Sequence, residues 1–185
     1  MSRGRGALVW ALLLVACSHH PVPPANPPPP APAVMVGKDE LRVATSGAVS
    51  TLGIAGDRVS FCDAVGLHAL EMPTGRPLVS GGACPAGDPP QAGGPEVTVR
   101  TPQLGPDDIV EIQGEGLSFP IEGHARDWAS DGGKVVVVAT ATQVLEIVPA
   151  TDQRVVLSAS GATSVAVGGG WAAWWDGIAV MARRL

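Results

Sequence analysis

The chain has 185 residues, 45% of them hydrophobic, with 12 Lys+Arg against 17 Asp+Glu and a net charge of −5. An acidic chain with scattered arginines lacks the basic footprint of a nucleic-acid binder, and it would not be drawn to an anionic membrane by charge. Two phenylalanines and no tyrosine leave Val, Ile, Leu, Ala and the tryptophans to build a core large enough for one domain.

At the start, Arg3 and Arg5 precede an apolar run from Ala7 to Ala16, and a cysteine follows at once. A charged segment before about ten apolar residues is the pattern of a secretory signal, too short to span a bilayer. Leu14-Val15-Ala16-Cys17 resembles the bacterial lipobox. That resemblance implies cleavage before Cys17 and acylation of its thiol, with two or three chains giving stable anchoring. Ser18 stands where the inner-membrane retention signal of that family is usually Asp, so the expected location is the cell envelope, outer membrane rather than inner. Residues 1–16 are read as the signal peptide and residues 17–36 as the acylated cysteine and a linker. With Arg3 and Arg5 removed, 10 basic residues remain against 17 acidic ones, a net charge of −7.

The linker, HHPVPPANPPPPAPAV from His19 to Val34, is half proline. Proline fixes φ and removes a donor, so this stretch is expected as an extended polyproline spacer reaching up to about 50 Å at ~3.1 Å per residue. His19 and His20 sit side by side in it, which makes a poor metal site.

From Gly37 to Leu185 no convincing amphipathic helix appears. Short apolar runs recur between Gly, Asp and Pro clusters, predicting about a dozen strands and an all-β domain over 37–185. The runs are Val49–Ile54, Val59–Phe61, Leu67–Leu70, Val97–Val99, Ile109–Ile112, Leu117–Ile121, Val135–Ala139, Val144–Val148, Val155–Leu157, Thr163–Val167, Trp171–Trp175 and Ile178–Met181.

The runs also repeat as a unit. Gly56-Asp57-Arg58-Val59 and then Gly66 to Arg76 match Asp131-Gly132-Gly133-Lys134 and then Val144 to Arg154. Weaker copies are Pro106-Asp107-Asp108-Ile109 with Gly116-Leu117, and Gly169-Gly170-Trp171 with Asp176-Gly177-Ile178. Each unit reads as turn, strand, turn, strand, and hairpins of this kind must stack to bury a face. Ala69-Leu70-Glu71-Met72-Pro73-Thr74-Gly75-Arg76 resembles the Ala-x-Asp-x-x-Thr-Gly-Lys stretch of PQQ-repeat and WD40-like propeller blades, although Leu78 and Val79 stand where a tryptophan usually follows. The resemblance implies a β-propeller-like fold. Blades of ~40–50 residues fit only about three to three and a half times, so a small or incomplete propeller-like arc is expected, or alternatively a two-sheet β-sandwich.

Cys62 and Cys84 remain after the anchor and are expected to form a structural disulfide, since neither Cys-x-x-Cys nor an activating context is visible. The Gly81–Pro95 loop follows no phosphate-binding order. Asp107, Asp108, Glu111 and Glu115 lack calcium-loop spacing and read as a solvated turn and strand face. Trp171, Trp174 and Trp175 are expected to fill the core, or, if exposed, to form a stacking platform for a ligand. His68 and His124 would need a serine and a carboxylate nearby in space for nucleophilic chemistry, and no Gly-x-Ser-x-Gly elbow is present. No cofactor, metal site or enzymatic activity is expected. The expected role is a lipid-anchored envelope interaction module with a protein partner, the alternative being a lipoprotein that binds a glycan or small molecule.

Overall fold

The computed structural model describes residues 34–86, 97–103, 105–113 and 116–185. The lipobox with Cys17, the His19-His20 pair and most of the proline-rich stalk lie outside these residues, as does Glu115. In chain order the strands are β1 (Val34–Val36), β2 (Glu40–Ala44), β3 (Thr51–Ala55), β4 (Arg58–Asp63), β5 (Gly66–Glu71), β6 (Arg76–Gly82), β7 (Val97–Arg100) and β8 (Asp108–Ile112). They continue as β9 (Leu117–Ile121), β10 (Asp127–Asp131), β11 (Val135–Ala139), β12 (Val144–Val148), β13 (Gln153–Ser158), β14 (Ser164–Gly168), β15 (Trp171–Trp175) and β16 (Ala179–Arg184). A single 3-10 turn at Pro149–Thr151 is the only helical element among the described residues.

The fold is all-β, with four antiparallel sheets, none closed on itself. Strands β3-β4-β5-β6 form the first sheet, β7-β8-β9 the second, β10-β11-β12-β13 the third and β1-β2-β16-β15-β14 the fourth. The first and third are simple meanders of 32 residues each, Thr51 to Gly82 and Asp127 to Ser158. Units this short explain why four sheets fit where blades of 40–50 residues would not. The two sequence copies occupy the same places: Gly66-Leu67 opens the third strand of one meander and Val144-Leu145 the third strand of the other. Their closing turns match too, with Gly75 at φ 67° and Asp152 at φ 50° before the final strand. An aspartate tolerates this left-handed backbone better than most side chains do, which is why the second copy dispenses with glycine there.

Three buried clusters set the order in which the sheets stack. Phe61, Val59 and Leu70 of the first sheet meet Leu41, Val43, Trp171 and Val180 of the fourth. Val165, Val167 and Trp174 of the fourth meet Val137, Val144 and Leu157 of the third. Val110, Ile112 and Phe119 of the second meet Val136, Val138 and Ile147 of the third. No such cluster joins the first and second sheets among the described residues, and the stack fits an incomplete propeller-like arrangement or a β-sandwich.

The fourth sheet takes strands from both ends of the described chain. β2 pairs antiparallel with β16 from Ala179↔Ala44 to Arg183↔Glu40. Along β2 burial alternates, with Leu41 and Val43 fully buried and Glu40, Arg42 and Ala44 outward. That is the period-2 pattern of a strand with one face on the core. β1 then pairs with β2, which carries the sheet three residues beyond the domain start expected at Gly37.

Candidate functional site

Two of the loops that lead from one sheet to the next, β2–β3 and β9–β10, are clasped to nearby turns by carboxylates. Asp63 ends β4, and its carboxylate accepts three hydrogen bonds: Ser46 N at 2.7 Å, Val65 N at 2.9 Å and His68 Nε2 at 3.0 Å. Ser46 lies in the loop from β2 to β3, so this one side chain ties that loop to the β4–β5 turn. On the other side of the ring, Nδ1 lies 3.4 Å from the Ser80 hydroxyl. The ring also stacks on Phe61, with centroids 5.0 Å apart. Burial alone would raise the Asp63 pKa, but the two backbone N–H groups and His68 outweigh it and hold the carboxyl below its usual value.

Asp107 and Asp108 make the corresponding clasp before β8. Asp107 accepts from Gly123 N at 2.9 Å, while Asp108 accepts from His124 Nδ1 at 3.0 Å and Ala125 N at 2.9 Å. Burial works against ionisation of Asp108, yet His124, Thr101 and Ala125 together lower its pKa. This corrects the expectation of a solvated turn: Asp108 is buried, and it holds the β9–β10 loop in place. Glu111 does lie on the strand face, pairing with Arg100 at 2.8 Å. No group of three or more metal-ligating side chains gathers among the described residues.

His68 thus has the carboxylate and the serine that nucleophilic chemistry would require. The register of the β4–β5 hairpin, with Asp63 opposite Gly66, brings the first within reach, and the β5–β6 pairing of His68 with Ser80 brings the second. The His68 and Asp63 side chains are only 2% and 1% exposed, however, which leaves the imidazole no surface for a substrate. What the chain Asp63–His68–Ser80 does is pin three adjacent strands and a loop together. A strand-turn-strand with Asp at the turn and His three residues into the next strand is the sequence signal that could have located it.

Cys62 and Cys84 lie at disulfide distance, with Cα atoms 5.8 Å apart. The pair brings the end of β4 to the segment just beyond β6, next to the Asp63 clasp. The tryptophans do not form a platform. Trp171 and Trp174 are both buried, and they face opposite sides of the fourth sheet, one in each core cluster. Trp175 packs partly buried beside Trp171, and its Nε1 donates to Thr45 Oγ1 at 3.3 Å. In a core short of phenylalanine and tyrosine these indoles fill volume.

Two open surfaces bear on function among the described residues. One is a cavity of about 440 Å³ between the innermost strands β3, β10 and β14. Each of these is the terminal strand of its sheet, so each has a backbone edge without a strand partner. Asp127 satisfies one such edge group by accepting Val165 N at 2.8 Å. At one end, Gly169 meets the β3–β4 turn so closely that a Cβ there would run into the Gly56 carbonyl oxygen. The other surface is β6, the outer edge of the first sheet, where the Leu78 and Val79 side chains are 39% and 42% exposed.

Fold and surfaces together define an all-β protein of stacked antiparallel meanders. No protein family model matches the sequence, and no curated protein does. Among solved structures the chain is similar to the computationally designed Ika4 protein, with TM-score 0.33, 17% identity and coverage of 76% of this chain and 92% of that one. It is also similar to the computationally designed Ika8 protein, with TM-score 0.32, 16% identity and coverage of 83% and 57%. A third likeness is to apo AztD from Citrobacter koseri, with TM-score 0.32, 13% identity and coverage of 78% and 53%. The chain therefore spans a little over half the length of the last two. At TM-scores of this size none of the likenesses bears on function.

Proposed function

We propose that this protein is a lipid-anchored module of the bacterial cell envelope that docks an extended segment of another envelope protein along β6. In this reading Cys17 carries the acyl chains, the proline-rich stretch holds the domain off an outer-membrane leaflet, and the sheets are blades of the PQQ-repeat or WD40-like kind. The observation that carries it is β6 itself. It is an edge strand, exposed at its first four residues, with Leu78 and Val79 presented to solvent and one backbone edge unpaired. A row of free N–H and C=O groups beside apolar side chains is what a peptide adding itself as a further strand requires. Pro77 interrupts the row of donors and confines pairing to the Leu78–Gly82 half of the strand.

The test is a photo-crosslinking side chain placed at Val79 in living cells, compared with one at the more exposed Ile178 on the β15–β16 turn. A discrete adduct from position 79 that is absent from position 178 supports docking at β6. Equal adducts, or none from either site, overturn it. The anchor is tested separately, because a lipid precursor should label the wild type and not Cys17→Ser.

A further inference from the structure

The cavity between β3, β10 and β14 offers backbone chemistry that the β6 reading does not use. Its volume of about 440 Å³ falls within the range of small-molecule sites, roughly 300–1,000 Å³. On β3 the Ala55–Arg58 pair closes a two-residue turn, Gly56-Asp57. Such a closing pair is hydrogen-bonded and the bonds then alternate, so Leu52 and Ile54 turn their N–H and C=O groups away from β4. On β14 the Gly168–Trp171 pair closes the Gly169-Gly170 turn, which turns Val165 and Val167 away from β15 in the same way. The bond from Val165 N to Asp127 follows that direction. All four residues line the cavity, and no further strand pairs with either edge.

The two strands end side by side, where Gly168 touches Ile54 and Gly169 meets the Gly56 carbonyl, so their beginnings lie together at the opposite end. Ser50, Thr51 and Ser164 line that end, and none of their three hydroxyls hydrogen-bonds within the chain. Ser50 is exposed, which opens this end to solvent.

We propose that this cavity binds a neutral sugar, with hydroxyls of the sugar at Ser50, Thr51 and Ser164 and its other polar groups on the inner strand edges. A strand edge presents donors and acceptors side by side, so its ligand must both donate and accept. A hydroxyl does both, whereas an ionised carboxylate only accepts and an ammonium only donates. No lysine, arginine or histidine lines the cavity to neutralise an anion. A cation fares no better. The Asp127 carboxylate is already engaged by Val165 N, and Asp131 shares the strand face of Ala129, which packs into the core with the fourth sheet. An acetamido group on the sugar adds a peptide-like N–H and C=O, the pair that a strand edge recognises. The site is separate from β6 and does not depend on the anchor.

The experiment is calorimetric titration of the full chain with N-acetylglucosamine, joined by amide hydrogen exchange with and without the sugar. Cationic glucosamine and anionic glucuronate serve as comparisons of similar ring size. One N-acetylglucosamine should bind per chain, more tightly than either charged sugar, with a Kd of about 1 mM or below. On binding, the Leu52, Ile54 and Val167 amides should exchange at least about fivefold more slowly, while those of β6 stay unchanged. Thr51→Val combined with Ser164→Ala should weaken binding at least about fivefold, since two hydroxyl partners are lost. Ser118→Ala, which removes an exposed hydroxyl on the second sheet, should leave the affinity unchanged. An unchanged unfolding curve verifies the fold of both variants. Absence of N-acetylglucosamine binding at about 10 mM overturns the proposal. So does a charged sugar binding as tightly, binding that leaves the three amides unprotected, or equal affinity in the folded double variant.

Discussion

Asp63→Asn tests whether buried clasps hold this fold together. The carboxylate accepts three donors, Ser46 N, Val65 N and His68 Nε2, at 2.7 to 3.0 Å. Asparagine keeps the shape but turns one acceptor oxygen into a donor, so at least one donor loses its partner. Hydrogen bonds to charged groups contribute about 1.5–3 kcal/mol each, and a stranded buried donor costs about 1–3 kcal/mol. His68 can shift its tautomer to recover part of this, which places the expected loss near 2–3 kcal/mol at neutral pH. Urea unfolding followed by tryptophan fluorescence reads it directly. The pH dependence supplies a second check. Because the folded pKa of Asp63 is lowered, its contribution is fully present above the unfolded value of about 3.9 and is lost as pH falls through the folded pKa. The gap between wild type and Asp63→Asn should therefore shrink as pH falls below about 4. A gap under about 0.5 kcal/mol at pH 7, or one that is unchanged at pH 2, refutes the argument.

Three further outcomes follow from particular contacts. Gly169→Ala forces a Cβ into the Gly56 carbonyl at φ 58°, whereas at Gly170, φ 77°, the Cβ meets open space; the first should cost at least about 2 kcal/mol more than the second in thermal unfolding. Leu41→Ala empties a fully buried site on β2 and should lose about 2–5 kcal/mol by the same urea assay, while Arg42→Ala on the outward face should stay within about 0.5 kcal/mol. Cys62→Ser with Cys84→Ser removes a link across 22 residues and should cost about 3 kcal/mol, and wild-type protein from an oxidising compartment should not react with thiol reagents until it is reduced.

The twelve apolar runs of the sequence all fall on strands, because each carries enough Val, Ile or Leu, or in Trp171–Trp175 enough Trp and Ala, to mark a buried face. The four strands that the runs do not announce are informative in different ways. β10, Asp-Trp-Ala-Ser-Asp, is an inner strand whose edge borders a cavity, so polar residues replace the expected apolar run. β6 contains Pro77 and ends in glycines, which hides a strand at a sheet edge. β1 is three residues long and follows the proline-rich stretch directly. β2 does alternate, Leu41 and Val43 against Glu40, Arg42 and Ala44, but its partner lies at the far end of the chain. The pattern of β2 was legible in the sequence, but pairing at such separation leaves no local mark.

The same distinction separates the clasps from the cavity. Asp63 and His68 are five residues apart on one hairpin, so turn position and strand register bring them together, and the sequence alone nearly suffices to predict the contact. Asp127 and Val165 are 38 residues apart and belong to different sheets. Nothing near Asp127 in the sequence marks it as one end of a cavity, since an aspartate before a tryptophan is equally at home in any turn. Its role depends on β14 lying beside both β3 and β10, which follows from how the sheets stack around the fourth. That stacking in turn depends on Leu41 and Val43 completing the core between the fourth sheet and the first. A short N-terminal strand remote from the cavity thus positions one of its three walls, and Leu41→Ala couples the two ideas. If β2 sets the place of β14, the Val165 amide, held by Asp127, should exchange its hydrogen faster in Leu41→Ala even under conditions where the variant remains folded. Unchanged exchange in the folded variant would mean that the third and fourth sheets hold β14 through Val165, Val167 and Trp174 without help from β2.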